Sequence, residues 1–266
     1  MDSSNLITLF SFLFGLIIGS FLNVCIHRIP LKESLIHPSS VCPKCEKKIR
    51  FYDNIPLISY IILLGKCRYC RQPISPRYPI VETITGLLSL ALFVRYGLSL
   101  QYFLFFLFVA SLITISFIDL QHKIIPDVIS LPGILLGLAI SFLKSFDLVR
   151  LNHFPPWTDS LIGIIAGGGF LYLVAIAFER LTGREGMGGG DIKLLAMLGA
   201  WMGWRALPFI ILISSLTGTL IGGGSLLLAG KGYRVKIPFG PFLALGALIY
   251  FFFGYELVTW YFKFLS

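Results

Sequence analysis

Residues 5–26, NLITLFSFLFGLIIGSFLNVCI, contain no charged side chain. A run of about 20 apolar residues is what a helix needs to cross the hydrocarbon core of a bilayer, where an unbonded backbone group has no water to turn to. Seven more runs follow at 80–95, 101–118, 126–143, 160–178, 191–204, 206–229 and 239–262. The second, fourth and sixth are short or interrupted. Charged residues make up 13% of the chain, against about 25% in a soluble domain. The expected fold is therefore an all-α polytopic membrane protein with about eight transmembrane helices. The first run is too long, and too rich in polar residues such as Ser20 and Asn23, for a cleaved signal peptide, and no small-residue cleavage site follows it.

The net charge of +9 raises the question of nucleic acid, but its distribution gives another answer. With the N-terminus outside, the inside loops are 27–79, 119–125, 179–190 and 230–238, and they hold 16 of the 22 Lys and Arg residues. Only Arg95, Lys144, Arg150, Arg205 and Lys263 fall outside, with Lys193 set apart in the sixth run. Positive charge on the cytoplasmic side orients membrane helices. The basic excess is topological, and no nucleic-acid partner is expected.

The segment 27–79 is the one soluble piece large enough to fold. The chain thus divides into a first transmembrane helix (1–26), a cytoplasmic loop (27–79) and a transmembrane bundle (80–266). Within the loop, Cys42 and Cys45 form one CxxC and Cys67 and Cys70 another, with 21 residues between the pairs. Two such turns complete a tetrahedral four-thiolate site, so zinc is expected. Four sulfur ligands leave no open coordination position, which makes the metal structural. Disulfides rarely persist on the cytoplasmic side. Cys25, inside the first run, reads as an ordinary buried thiol. Between the knuckles, IPLISYIILLG is apolar but too short to span, which suits a segment lying at the inner leaflet or packed beneath the zinc unit. The connection 144–159 reads as a polar outside loop, and the glycine clusters at 167–169 and 222–224 as sites of close helix packing. No internal repeat stands out.

Ionisable residues at the edge of the membrane are functional candidates. Asp119 ends the third run and Asp191 opens the sixth, in GMGGGD, both on the cytoplasmic side. Two carboxylates brought close together share a proton, so one can activate water while the other polarises a scissile carbonyl. Other roles are open on spacing alone. Asp191 suits a helix N-cap, Asp119 a partner for Lys123, and Asp127 a starting cap for the fourth run. Gly188 and Gly190 would let an extended substrate backbone approach the carboxylate. No GxxxxGK[ST] occurs, and no strand precedes the glycine run, so phosphate cradling does not fit.

The sequence Gly188-Gly189-Gly190-Asp191 matches the GxGD motif of intramembrane-type aspartyl proteases, and GMGGGDIKLLA resembles the type IV prepilin peptidases. The resemblance covers most of the chain: GSFLNVCIHRIP at 19–30, the paired CxxC knuckles, ISPRYPIVE at 74–82, FIDLQHKIIPD at 117–127 and PFGPFLALG at 238–246. Presenilin-like proteases share GxGD but lack the cysteine loop. The resemblance implies that Asp119 and Asp191 are catalytic, in a multi-pass enzyme of the bacterial inner membrane. Such an enzyme removes the leader of prepilins and pseudopilins after a glycine, serving type IV pili or type II secretion. It then N-methylates the new terminus with S-adenosylmethionine. No soluble methyltransferase fingerprint appears, so candidates for the second step come from the resemblance. Glu82 could face the sulfonium or orient the amine, or simply pair with Arg77. A peptidase without methyl transfer, a transporter using the aspartates for protons, and a zinc-stabilised scaffold are the competing readings. Transport sites favour the bilayer midplane, unlike two aspartates at one face.

Overall fold

The computed structural model describes residues 3–37, 40–148, 151, 153–183, 188–224 and 238–265. Nine helices occur among them: α1 (Ser3–Arg28), α2 (Ile58–Ile62), α3 (Arg77–Tyr96), α4 (Leu100–His122), α5 (Asp127–Ser145), α6 (Trp157–Thr182), α7 (Gly189–Met202), α8 (Leu207–Thr217) and α9 (Gly240–Leu265). A π-helical stretch, Gly218–Gly223, continues α8. No named strand is present among the described residues, only two isolated bridges in the cysteine loop. The all-α expectation holds.

The expected count of about eight spans is not confirmed by helix length and composition alone. Among the described residues, six helices are long and apolar enough to cross a membrane: Leu6–Arg28, Arg77–Tyr96, Leu100–His122, Asp127–Ser145, Trp157–Thr182 and Trp204–Gly222. The run at 191–204 forms α7, which has 14 residues and is about 21 Å long, short of a core about 30 Å thick. The run at 239–262 forms α9, whose apolar stretch counts as Gly240–Gly254. Residues 225–229 of the run 206–229, Arg184 and most of the loop 230–238 lie outside the described residues.

The chain forms two compact units, Met1–Thr114 and Ile115–Ser266. In the first, α1 and α3 pack along a GxxxG face, the small-residue device by which membrane helices approach closely. A side chain on Gly15 would stand 2.6 Å from the Ser89 Cβ, and one on Gly19 would stand 2.8 Å from the Glu82 Cα. Ser89 fixes the contact by donating to the Ser11 carbonyl at 2.7 Å. Asn23 adds a bond of 3.2 Å to the carbonyl of Tyr78.

In the second unit α7 is the centre, with every residue from Leu194 to Trp201 buried. Gly163 of α6 meets Gly199 of α7 backbone to backbone, and Ser160 donates to the Ala200 carbonyl at 2.8 Å. On the α5 side, Trp201 Nε1 donates to the Gly133 carbonyl at 2.8 Å. The expected role of the glycine clusters holds for Gly167, where a side chain would stand 2.7 Å from the Leu195 carbonyl oxygen. Among the described residues, nothing lies within 4 Å of a side chain placed on Gly169 or Gly224. The connection 144–159, expected to be a polar loop, folds back onto the bundle. Leu151 and Phe154 are buried, and Phe154 packs against Trp201 with ring centroids 5.9 Å apart and planes tilted by 47°. Residues 149–150 and 152 of it lie outside the described residues.

Candidate functional site

Asp119 and Asp191 line one cavity of about 240 Å³, together with Lys123, Ile124, Ile125, Asp127 and Gly188–Gly190. Three pieces of backbone produce it. The first is the end of α4, where the Lys123 N–H returns to the Asp119 carbonyl at 2.8 Å and Lys123 turns left-handed, at φ 56°. This stops the helix and swings Ile124 and Ile125 across the mouth. The second is the start of α7. Its N-cap is Gly188, so Asp191 is the third helical residue and not the cap. There its carboxylate is half-buried, facing the cavity.

The third piece was missed by the sequence reading, although its residues stood in a quoted block. The N–H of Gly240, the first residue of α9, donates to Asp119 Oδ2 at 2.9 Å. The Asp119 side chain is thereby held, and the residue is 5% exposed.

The two motif glycines have different surroundings. Among the described residues, a side chain on Gly188 would find only Asp191 Oδ2, at 3.7 Å. A side chain on Gly190 would stand 2.8 Å from the Ile125 Cβ, so Gly190 lets α7 close against the turn after α4. Asp127 is the first residue of α5, and its side chain makes no cap bond. Instead both its oxygens accept from Lys193, at 2.7 and 2.8 Å. That ion pair ties the start of α5 to α7, and among the described residues Asp119 and Asp191 are the cavity carboxylates without one.

In the first unit the four cysteines Cys42, Cys45, Cys67 and Cys70 converge, with their Sγ atoms all within 4.8 Å of one another. The Cys42 and Cys70 sulfurs are 3.9 Å apart. Zinc–sulfur bonds of about 2.3 Å at tetrahedral angles put sulfurs about 3.8 Å apart, so the cluster fits zinc with slight closing. The knuckles repeat one design. Cys42 N–H donates to the Lys47 carbonyl and Cys67 N–H to the Gln72 carbonyl, at 3.0 and 2.9 Å. Glu46 and Arg71 turn left-handed at φ 57° and 59°, and each returns its N–H to the first cysteine of its knuckle. Bridges Val41–Lys48 and Lys66–Pro73 close the two turns at equivalent positions. An internal repeat is thus present, carried by backbone geometry over little more sequence than CxxC. Backbone N–H groups of Cys70 and Tyr69 hold the Cys67 thiol down to about 7, favouring the thiolate a metal requires. Arg68 grips Asp53 through both carboxylate oxygens and keeps that carboxyl below its ordinary range.

Glu82 is buried in α3, 7% exposed, and its Oε2 accepts the N–H of Leu57 at 2.9 Å. Leu57 sits at φ 59° immediately before α2. The carboxylate thus fastens the apolar segment between the knuckles to the first turns of α3. Ile58, Ile61, Ile62 and Leu64 remain exposed there, Leu64 by 82%.

Two family models match the chain: the bacterial peptidase A24 N-terminal domain over residues 13–96, and the type IV leader peptidase family over 106–223. A prepilin leader peptidase/N-methyltransferase of Aeromonas hydrophila is 40% identical, over 94% of this chain and 92% of that protein. Its counterpart from Pseudomonas aeruginosa is 39% identical, over 95% and 92%. The one from Burkholderia pseudomallei (strain 1026b) is 36% identical, over 92% and 85%. No solved structure matches.

Proposed function

Because the chain belongs to the type IV leader peptidase family, we propose that it removes the leader of prepilins and pseudopilins and then methylates the new N-terminus. The observation that carries the peptidase half is the cavity shared by Asp119 and Asp191. Like charges so close resist joint ionisation, so the pair holds one proton between them. The deprotonated member takes a proton from water as its oxygen bonds to the scissile carbonyl carbon, and the protonated member donates to the carbonyl oxygen. When the C–N bond breaks, the amine nitrogen takes the first proton and the pair recovers the second. Gly188, open at the mouth, admits the substrate backbone. The peptidase machinery belongs to the bundle 80–266, and the loop 27–79 is a zinc-held attachment.

The excess of Lys and Arg in the inside loops supports a cytoplasmic site in a bacterial inner membrane. Zinc is read as structural, since Cys42, Cys45, Cys67 and Cys70 fill its coordination.

The methyl donor implied by the second activity is S-adenosylmethionine. The residues of the first unit offer its sulfonium a poor fit. The space of about 280 Å³ along α3 is lined by Pro79, Ile80, Thr83 and Ile84, with no charge. The Glu82 carboxylate is turned to Leu57. No step of methyl transfer is assigned to these residues, and Glu82 is read as the fastening of the loop to α3.

The test is purified protein in detergent, incubated with a prepilin and followed by mass spectrometry of the product N-terminus. Leader release that persists in both Asp119→Asn and Asp191→Asn would sink the peptidase reading. A mature terminus carrying no methyl group would reduce the function to peptidase alone.

A further inference from the structure

The first four N–H groups of a helix have no partner within it, and α9 disposes of its own in an unusual way. Pro241 has no N–H to place. Those of Phe242 and Leu243 both return to the Phe239 carbonyl, at 3.1 Å. The N–H of Gly240 is left, and it is spent on Asp119 Oδ2. The block PFGP therefore delivers a single backbone donor to a single carboxylate oxygen. A side chain there would press on the oxygen that the N–H holds. A Cβ at position 240 would stand 2.8 Å from Asp119 Oδ2 and 3.2 Å from the Ile125 Cδ1.

Asp191 has a different environment. It lies in the first turn of α7, where the helix end favours negative charge only diffusely, and its own backbone N–H is taken by the Gly188 carbonyl at 3.1 Å. Lys123 and Asp127 also line the cavity, and Asp127 is neutralised by Lys193. A direct backbone bond to a buried ionised carboxylate outweighs the diffuse term.

We propose that Gly240 is a positioning residue that orients Asp119 and keeps the charge of the pair on it, so that Asp119 takes the proton from water and Asp191 supplies one to the scissile carbonyl. The assignment rests on the peptidase reading above and divides the labour within it.

The experiment compares Gly240→Ala with Gly246→Ala across pH, with a prepilin as substrate. A side chain at Gly246 would meet the Ile210 carbonyl and the Ser214 hydroxyl, both at 2.9 Å, and so disturbs the packing of α9 on α8 without touching Asp119. Gly240→Ala should lower kcat by about 10- to 100-fold with KM nearly unchanged, as loss of a transition-state contribution does. Its acid limb should move to higher pH, because the new methyl group pushes the ionised base off its N–H donor. Gly246→Ala should lower thermal stability and leave the limb where it is. A Gly240→Ala profile that coincides with wild type, or an equal shift in Gly246→Ala, overturns the proposal. Should Gly240→Ala fail to accumulate, adding Ile125→Ala relieves the contact with the Ile125 Cδ1 but keeps the one with Asp119 Oδ2, and the double variant is read against Ile125→Ala alone. Cleavage retained by both Asp119→Asn and Asp191→Asn would instead strike the peptidase reading itself.

Discussion

The cysteine loop and the aspartate cavity are built by opposite means. The loop gathers its four sulfurs from two short turns, each closed by its own backbone bonds, and a metal held there would supply what a small apolar core cannot. The cavity gathers its groups from the ends of three helices, α4, α7 and α9, and depends on how closely those helices pack. Thus the loop carries its instructions locally, while the cavity exists only when glycines far along the chain let backbones touch. A perturbation of the first should spread as loss of fold. A perturbation of the second should show as loss of chemistry.

The sharpest break in that contrast is at the carboxylates. Asp119→Asn and Asp191→Asn should each cut leader release by about 10²–10⁴-fold, the usual contribution of a positioned acid or base. Membrane insertion and yield should stay normal, since asparagine keeps the size and the acceptor for Gly240. Timed cleavage assays on equal amounts of purified protein decide it.

The loop should respond in the other way. Serine at any one of Cys42, Cys45, Cys67 or Cys70 should drop bound zinc well below about one per chain. Protease sensitivity within 40–75 should rise, with activity falling only as far as the folded fraction does. Full occupancy by metal analysis in a single variant would show that the four sulfurs do not act as one site.

Glu82 separates fastening from methyl transfer. Glu82→Ala strands the buried N–H of Leu57 and should cost about 1–3 kcal/mol, read as a lower unfolding temperature. Glu82→Gln still offers an oxygen and should be nearly silent in stability and in leader removal. Mass spectrometry of the mature terminus sharpens the outcome: normal methylation in Glu82→Gln supports the fastening role, whereas reduced methylation would assign work to the charge.

The smallest effect belongs to Asp127. Its pair with Lys193 is largely exposed, so Asp127→Asn should change stability by no more than about 1 kcal/mol and cleavage by a few-fold at most. A loss matching that of Asp119→Asn would place Asp127 in the reaction.

How much of this was legible depends on whether the signal is contiguous. The CxxC pairs and the GGGD run are local, and their residues converge in the cysteine cluster and line the cavity. The apolar runs gave the helices, but not that α7 has only 14 residues, because run length says nothing of where caps fall. The Gly15–Gly19 spacing was present to be read and was overlooked as an ordinary part of an apolar run. Gly240 could not be placed from spacing, since its partner lies 121 residues away. Nor could the inward fold of Leu151 and Phe154, which look like loop residues until Trp201 is beside them.

The brevity of α7 has a consequence for the surrounding lipid. A helix about 21 Å long in a slab about 30 Å thick leaves about 9 Å unspanned, which the bilayer meets by thinning or neighbouring helices meet by covering. Here α5 and α6 flank α7 along its length, while Gly188 and Gly189 at its aspartate end stay exposed. A bilayer that thins to meet α7 would bring water to the end where Asp191 stands, with no helix unwinding.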